Sequence, residues 1–170
     1  CVAWDRRVGF YTRELRVRLA ACTYVQLRIM YALVTGIEEY RQARALVGEL
    51  KGELDSKGIP YKRDIQVGIM VETAAASLIA DIFAKEADFF SIGTNDLTGY
   101  IMAADRGNAD VGYLYSTYDP AVLRAIKRII AAANYPGIPC GVLGAAAAGP
   151  PPLPHLLPFR PGRRRLQPAP

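Results

Sequence analysis

Two acidic residues follow apolar runs rich in β-branched and aromatic side chains: Glu72 directly after Ile65 to Val71, and Asp96, with Asn95 before it, just after Phe89 to Ile92. Carboxylates are hard oxygen donors. One or two of them, completed by water and by a substrate's own oxygens, form a common shell for Mg²⁺ or Mn²⁺. The same residues could equally serve as helix caps, since Glu72 precedes a helix-like stretch and Asp96 sits in a turn-like one. Arg106 follows, and a guanidinium forks onto phosphate oxygens with a directionality that an ammonium lacks. The plain alternative for Arg106 is a surface pair with Asp105 or Asp110, which contributes little.

The elements that must position these groups can be read from periodicity. Thr73 to Glu86 is helix-like and joins the two apolar runs into a strand, crossover helix, strand unit. A right-handed crossover makes those strands parallel neighbours, so Glu72 and Asn95-Asp96 emerge on the same sheet edge, where α/β folds carry their chemistry. Before this unit, Thr12 to Ala21 is a candidate surface helix with Leu15 and Leu19 on its apolar side. Leu27 to Val34 reads as a strand buried on both faces, with Arg28 toward the opposite edge in a structural role. Thr35 with Glu38 has capping-box spacing, predicting a helix to about Ser56 that Gly58 and Pro60 stop. After the unit, Gly112 to Thr117 reads as a loop, Asp119-Pro120 starts a helix to Asn134, and Pro139 to Leu143 is a short fourth strand. The pattern predicts an α/β fold with parallel pairing.

Three stretches in order, GIMVET (residues 68–73), DFFSIGTNDLT (88–98) and AADRGN (103–108), resemble the signature of phosphoenolpyruvate-utilising enzymes. The AADRGN ending is most similar to enzyme I of the bacterial sugar phosphotransferase system, rather than to pyruvate phosphate dikinase or phosphoenolpyruvate synthase. The likeness runs from about Trp4 to Gly144. It implies a partial TIM-type (β/α) barrel, about half of the eight strands, with two open edges and hence self-association as a homo-oligomer. It also implies that Glu72 and Asp96 ligate Mg²⁺, that Asn95 and Asp96 bind phosphoenolpyruvate, and that Arg106 holds its phosphoryl group. The intact cytoplasmic system would pass that group to a histidine-bearing domain and then to a small phosphocarrier protein. Where the family ends this strand in a pattern like CGVCGE, residues 140–145 read CGVLGA, so Leu143 stands at the position of the acid that protonates the enolate. Leucine donates no proton, and Cys140 reads as a small buried apolar side chain. Ala32 and Ala74 replace usual prolines, Gly99 and Ile101 replace polar residues, and His155 matches no family motif. The expectation is therefore little or no phosphotransfer by the chain alone. A non-catalytic binding or dimerisation module and a dikinase- or synthase-like enzyme are the alternatives.

Composition narrows the classes further. Of the formal charge of +5 over 170 residues, nearly all comes from Arg160 and Arg163 to Arg165, which argues against a nucleic-acid partner. Cys1, Cys22 and Cys140 form no CxxC pair and have no flanking histidine, against a disulfide framework or zinc site and in keeping with a reducing cytoplasm. No apolar run reaches membrane-spanning length and no secretory leader opens the chain. A first residue of Cys rather than Met suggests a piece of something longer. Residues 1–149 form the expected partial barrel domain. Residues 150–170, dense in proline and arginine, are expected to be an extended or disordered tail, most simply a non-native or frame-shifted end.

Overall fold

The structure, a computed structural model, describes residues 28–144 together with Leu15, Arg16, Leu19 and the backbone of Arg163 and Arg164. Strands β1 (Arg28–Tyr31), β2 (Gln66–Val71), β3 (Phe90–Gly93), β4 (Cys140–Leu143) and the two-residue β5 (Arg163–Arg164) lie side by side in chain order, all parallel. Chain order without a reversal is the winding of a (β/α) barrel rather than of a doubly wound sheet. The fold is α/β and consistent with part of such a barrel.

The register fixes the functional edge. Val71 pairs with Ile92, and Gly93 pairs with Leu143, so the residues that follow Val71 and Gly93 leave the sheet together at its carboxyl end. Every residue of β3 is buried and β2 nearly so, as a central parallel strand requires. The expected two-sided burial of Leu27 to Val34 is corrected: β1 is four residues long, with Arg28 and Met30 exposed and Ile29 buried. It is the outer strand of the described sheet. The Arg28 guanidinium lies over the Phe89 ring, 5.4 Å from its centroid, at the amino end as expected.

Helix α1 (Ile37–Ser56) buries Tyr40, Ala43, Val47, Leu50 and Leu54 at helical spacing. The expected Thr35 and Glu38 capping box is also corrected. Gly36 is the N-cap, so the third helical residue is Glu39, and its Oε2 accepts from Thr35 N at 3.0 Å and Thr35 Oγ1 at 3.1 Å. The helix stops as its sequence dictates: Gly58 at φ 64° donates to Asp55 O and Ile59 to Leu54 O, the paired bonds of a Schellman end.

The single crossover helix expected over Thr73 to Glu86 is two short pieces, α2 (Ala74–Leu78) and α3 (Ala80–Phe83), interrupted at Ile79. No glycine or proline marks the break. Thr73 caps α2, its Oγ1 accepting from Ala76 N at 3.1 Å. A further helix that the sequence did not signal, α4 (Thr94–Met102), begins directly after β3. Asp96 therefore lies in a first helical turn rather than in a loop. The expected loop after it contains one 3₁₀ turn at Gly112–Leu114. Helix α5 (Pro120–Asn134) starts as read, with Asp119 Oδ1 accepting from Ala121 N at 2.8 Å, and buries Val122, Ile126, Ile129, Ile130 and Ala133.

Of the Thr12 to Ala21 helix, Leu15, Arg16 and Leu19 are helical, with both leucines buried; the rest lies outside the described residues, as do Cys1, Cys22 and His155. In the proline and arginine tail, Arg163–Arg164 is extended and pairs with Gly141 and Val142. No helix among the described residues is long and apolar enough to cross a membrane.

Candidate functional site

Glu72 is the most buried charged side chain of the described residues, at 2 % exposure. Its Oε1 accepts from the backbone N–H of Leu33 at 2.8 Å. Next to it, Thr73 Oγ1 donates to Val34 O at 2.9 Å, so consecutive side chains after β2 hold consecutive backbone groups after β1. Leu33 takes a left-handed φ of 54°, uncommon for a leucine, which points its N–H at the carboxylate.

The other carboxylate comes from α4. Gly93, the last residue of β3, brings this helix close: a Cβ there would overlap Glu72 Oε2 and stand 2.9 Å from both Glu72 Cβ and Met70 Sδ. Only glycine lets β3 run past Glu72 at this distance. Asp96 is exposed in the first turn of α4, which leaves the sheet beside Glu72. The Glu72 pKa is raised: burial is the main cause, the Asp96 charge adds to it, and the Leu33 N–H opposes it. Two carboxyls held together make a mutually repelling pair, and a divalent ion between them would relieve it.

The remaining residues frame this pair. Asn95 is partly buried, and its carbonyl accepts from the Tyr115 hydroxyl at 2.7 Å. Thr94 Oγ1 donates to Leu143 O at 2.7 Å, tying the end of β4 to the start of α4. Gly144, at φ 102°, leaves space that a Cβ would take from Thr94 Oγ1 and from Asn95 Oδ1, at 2.6 and 2.9 Å. Arg106 is exposed. Among the described residues no ion pair joins it to Asp105 or Asp110, and Asp105 instead accepts from Gly107 N at 2.8 Å.

Leu143 pairs with Gly93 at the carboxyl edge, whereas Cys140 pairs with Phe90 at the other end of the strand. Three residue steps of strand separate them, roughly 10 Å. Cys140 is buried and burial pushes its thiol up to about 12, so it stays neutral and inert. Sequence reasoning missed Tyr115, Thr94 and the Leu33 amide. The first sits in a tyrosine-rich loop, GYLYSTY (112–118), with no spacing to single it out, and a backbone donor leaves no mark in sequence.

The donor set suits a hard cation. Among the described residues no cluster of three or more His, Cys, Asp or Glu side chains could hold a metal. Glu72 and Asp96 would supply two oxygens, leaving the rest of an octahedron to water and substrate, as Mg²⁺ usually has it.

Residues 4–159 match the family model described as PEP-utilising enzyme, PEP-binding domain. That match continues past Gly144, where the motif likeness was expected to stop, into the proline-rich segment. The chain is 45 % identical over 147 residues to the phosphoenolpyruvate-protein phosphotransferase of Priestia megaterium, covering 86 % of this chain and 26 % of that protein. It is 46 % identical over 149 residues to the protein of that name from Enterococcus faecalis, and 47 % over 147 residues to that of Geobacillus stearothermophilus, covering 88 % and 86 % of this chain. It spans 26 % and 25 % of the length of those two relatives. A parallel sheet wound in chain order, a carboxylate at the end of β2, another just past β3, and a family match over residues 4–159 agree: the chain belongs to the phosphoenolpyruvate-utilising enzymes, in their phosphoenolpyruvate-binding domain.

Proposed function

We propose that this chain is the phosphoenolpyruvate- and Mg²⁺-binding portion of an enzyme I-like phosphotransferase of the cytoplasm. The observation that carries the reading is that Glu72 and Asp96 leave adjacent parallel strands at the same carboxyl edge. Mg²⁺ held there would neutralise phosphoryl and carboxylate oxygens of the substrate. Asp96 reaches it from the exposed side and Glu72 from the buried side, while the Leu33 N–H keeps Glu72 oriented. Asn95 offers its side-chain amide from the same turn. Arg106, on the open side, forks onto the phosphoryl group and spreads the charge of a loose transition state.

Phosphoryl transfer leaves an enolate, and by the motif resemblance the residue at the position of its acid is Leu143, which has no proton to give. The chain is thus proposed to bind its substrate without turning it over. A histidine-bearing domain and a small phosphocarrier are the proposed partners of the intact system, and a second copy of this chain the partner at the open sheet edges. Residues 1–149 are the proposed binding domain and 150–170 a proline- and arginine-rich tail, of which Arg163–Arg164 pairs with β4.

Calorimetry with Mg²⁺ and phosphoenolpyruvate tests this. The expected result is metal-dependent heat on adding phosphoenolpyruvate, abolished in Asp96→Ala, with no pyruvate formed. Equal heats in both proteins would remove the metal assignment, and pyruvate release would remove the claim of inactivity. Absence of heat in both favours a second reading, a structural or dimerising module that keeps the geometry without the ligand. The substitution at Leu143 is what favours that reading.

A further inference from the structure

Strand β4 ends against the start of α4. Gly93 pairs with Leu143, and the next residue continues the contact: Thr94, fully buried, donates from Oγ1 to Leu143 O at 2.7 Å. A hydroxyl has one proton, and that bond uses it. Gly144 follows at φ 102°, a backbone conformation that L side chains rarely adopt. A Cβ there would stand 2.6 Å from Thr94 Oγ1, 2.9 Å from Asn95 Oδ1 and 3.1 Å from Asn95 Cγ. The Asn95 carboxamide therefore fills the space that a side chain at position 144 would need, its oxygen nearer than its nitrogen. The main chain of Asn95 is held separately, its carbonyl accepting from Tyr115 O–H at 2.7 Å. Gly137 makes a useful contrast: its φ is 79°, yet nothing lies within 4 Å of its missing Cβ.

We propose that Gly144 is a positioning residue: by carrying no side chain at the end of β4, it leaves the Asn95 carboxamide its place and so sets how that amide offers its N–H₂ to an anionic oxygen of the ligand. This rests on the reading of the site given above. Of the two side chains crowded by a Cβ at 144, Asn95 is the one that can turn. Thr94 is tied to Leu143 O through its hydroxyl, and its carbonyl accepts from Thr98 Oγ1 at 2.7 Å, whereas Asn95 is only partly buried. An asparagine amide is a donor at one end and an acceptor at the other, and only the donor end suits a phosphate or carboxylate oxygen. With the oxygen end toward Gly144, the N–H₂ end is left for the ligand. A carboxamide already in that rotamer loses little freedom on binding, and one pushed out of it must be brought back. No Asp96 atom is among the three nearest to the missing Cβ, so Gly144 acts on the anion side of the site rather than on the metal side.

The test compares Gly144→Ala with Gly137→Ala, both in the full chain; each puts a methyl group on a left-handed backbone, and only the first meets Asn95. In ¹⁵N-labelled, ligand-free protein, the Asn95 side-chain N–H₂ signals, assigned by their loss in Asn95→Ala, should move toward those of a solvent asparagine in Gly144→Ala and stay in place in Gly137→Ala. Unmoved signals in Gly144→Ala overturn the proposal. With phosphoenolpyruvate and Mg²⁺ as probes, Gly144→Ala should weaken phosphoenolpyruvate roughly 10- to 100-fold, the range for one hydrogen bond to a charged group, and Gly137→Ala should not. Mg²⁺ alone should bind both variants as it binds the wild type. Equal weakening of phosphoenolpyruvate by the two variants, or a matching loss of Mg²⁺ affinity in Gly144→Ala, gives Gly144 a merely structural role and overturns the proposal. In an Asn95→Ala background, Gly144→Ala should add no further loss, and full additivity also overturns it. Should Gly144→Ala not fold, Thr94→Val carries the test: it cuts the tie to Leu143 O at similar volume, should displace the same Asn95 signals, and overturns the proposal if it leaves them unmoved. If the wild type takes up no phosphoenolpyruvate while the Asn95 signals still depend on Gly144, the functional reading of the site fails and the positioning claim stands.

Discussion

Gly93→Ala is the sharpest perturbation the structure offers. One methyl group added at the end of β3 would overlap Glu72 Oε2 and stand 2.9 Å from Glu72 Cβ and from Met70 Sδ. Real Cβ atoms do not come that close, so something must give, and the carboxylate is the part free to turn. Overpacking of this kind costs about 1–3 kcal/mol. Rotation of Glu72 off the Leu33 N–H leaves a donor unpaired, roughly another 1–3 kcal/mol. We expect a loss of about 2–6 kcal/mol in urea unfolding, together with at least a tenfold loss of Mg²⁺ affinity by calorimetry. Gly68→Ala is the control. Its Cβ would collide with the Phe89 carbonyl oxygen and stand 2.7 Å from the Phe89 ring, remote from both carboxylates. It should destabilise comparably while leaving Mg²⁺ affinity alone in the folded fraction. A Gly93→Ala protein that binds Mg²⁺ like the wild type would refute the reasoning, because Glu72 would then have no part in the metal's shell.

Glu72 has a raised pKa in the folded chain, so its neutral form favours folding: that contribution is complete below its ordinary value of 4.5 and is lost as pH rises through the higher folded value. Relative to Glu72→Gln, the wild type should gain stability as pH falls toward 4.5, and saturating Mg²⁺ should flatten that difference, measured by urea unfolding at several pH values. Cys140, neutral with a thiol pushed up to about 12, should resist iodoacetamide at pH 8 until the chain unfolds, read by mass spectrometry of its peptide. Asp119→Ala removes the 2.8 Å cap on Ala121 N and should lower stability by about 1 kcal/mol without changing ligand affinity.

The elements that sequence revealed best are those with strong local chemistry. The start of α5 was plain because Asp119 and Pro120 supply a cap and a preset φ, and the end of α1 because Gly58 takes a left-handed turn. Helix α4 was invisible because its nine residues carry Gly99 and begin with Thr-Asn-Asp, a composition that also makes turns; what holds it helical is the burial of Leu97 and Thr98 against the fold. The cap of α1 slipped by one residue because Thr35 can bond either glutamate, and the phase of the helix, set by packing, chose Glu39. At the site, topology alone brought Glu72 near Asp96, since parallel neighbours must end together. The Leu33 amide, Tyr115 and the close approach at Gly93 depend on three-dimensional contacts between segments 20 to 39 residues apart, which no local pattern encodes.

Leu33 has one more bearing on how the molecule behaves. A leucine held in the left-handed region stores about 1–2 kcal/mol that relaxes if its amide is let go. Its anchor is the very oxygen pair proposed to take a cation, while the adjacent Val34 carbonyl stays pinned by Thr73. A swing of Glu72 would thus free one peptide while its neighbour acts as the pivot, and the motion would arrive at Gly36, where the 20-residue α1 begins. The Leu33 amide is in effect a built-in gauge: its deuterium uptake should report whether the cleft is filled, from a position just beyond the outermost described strand.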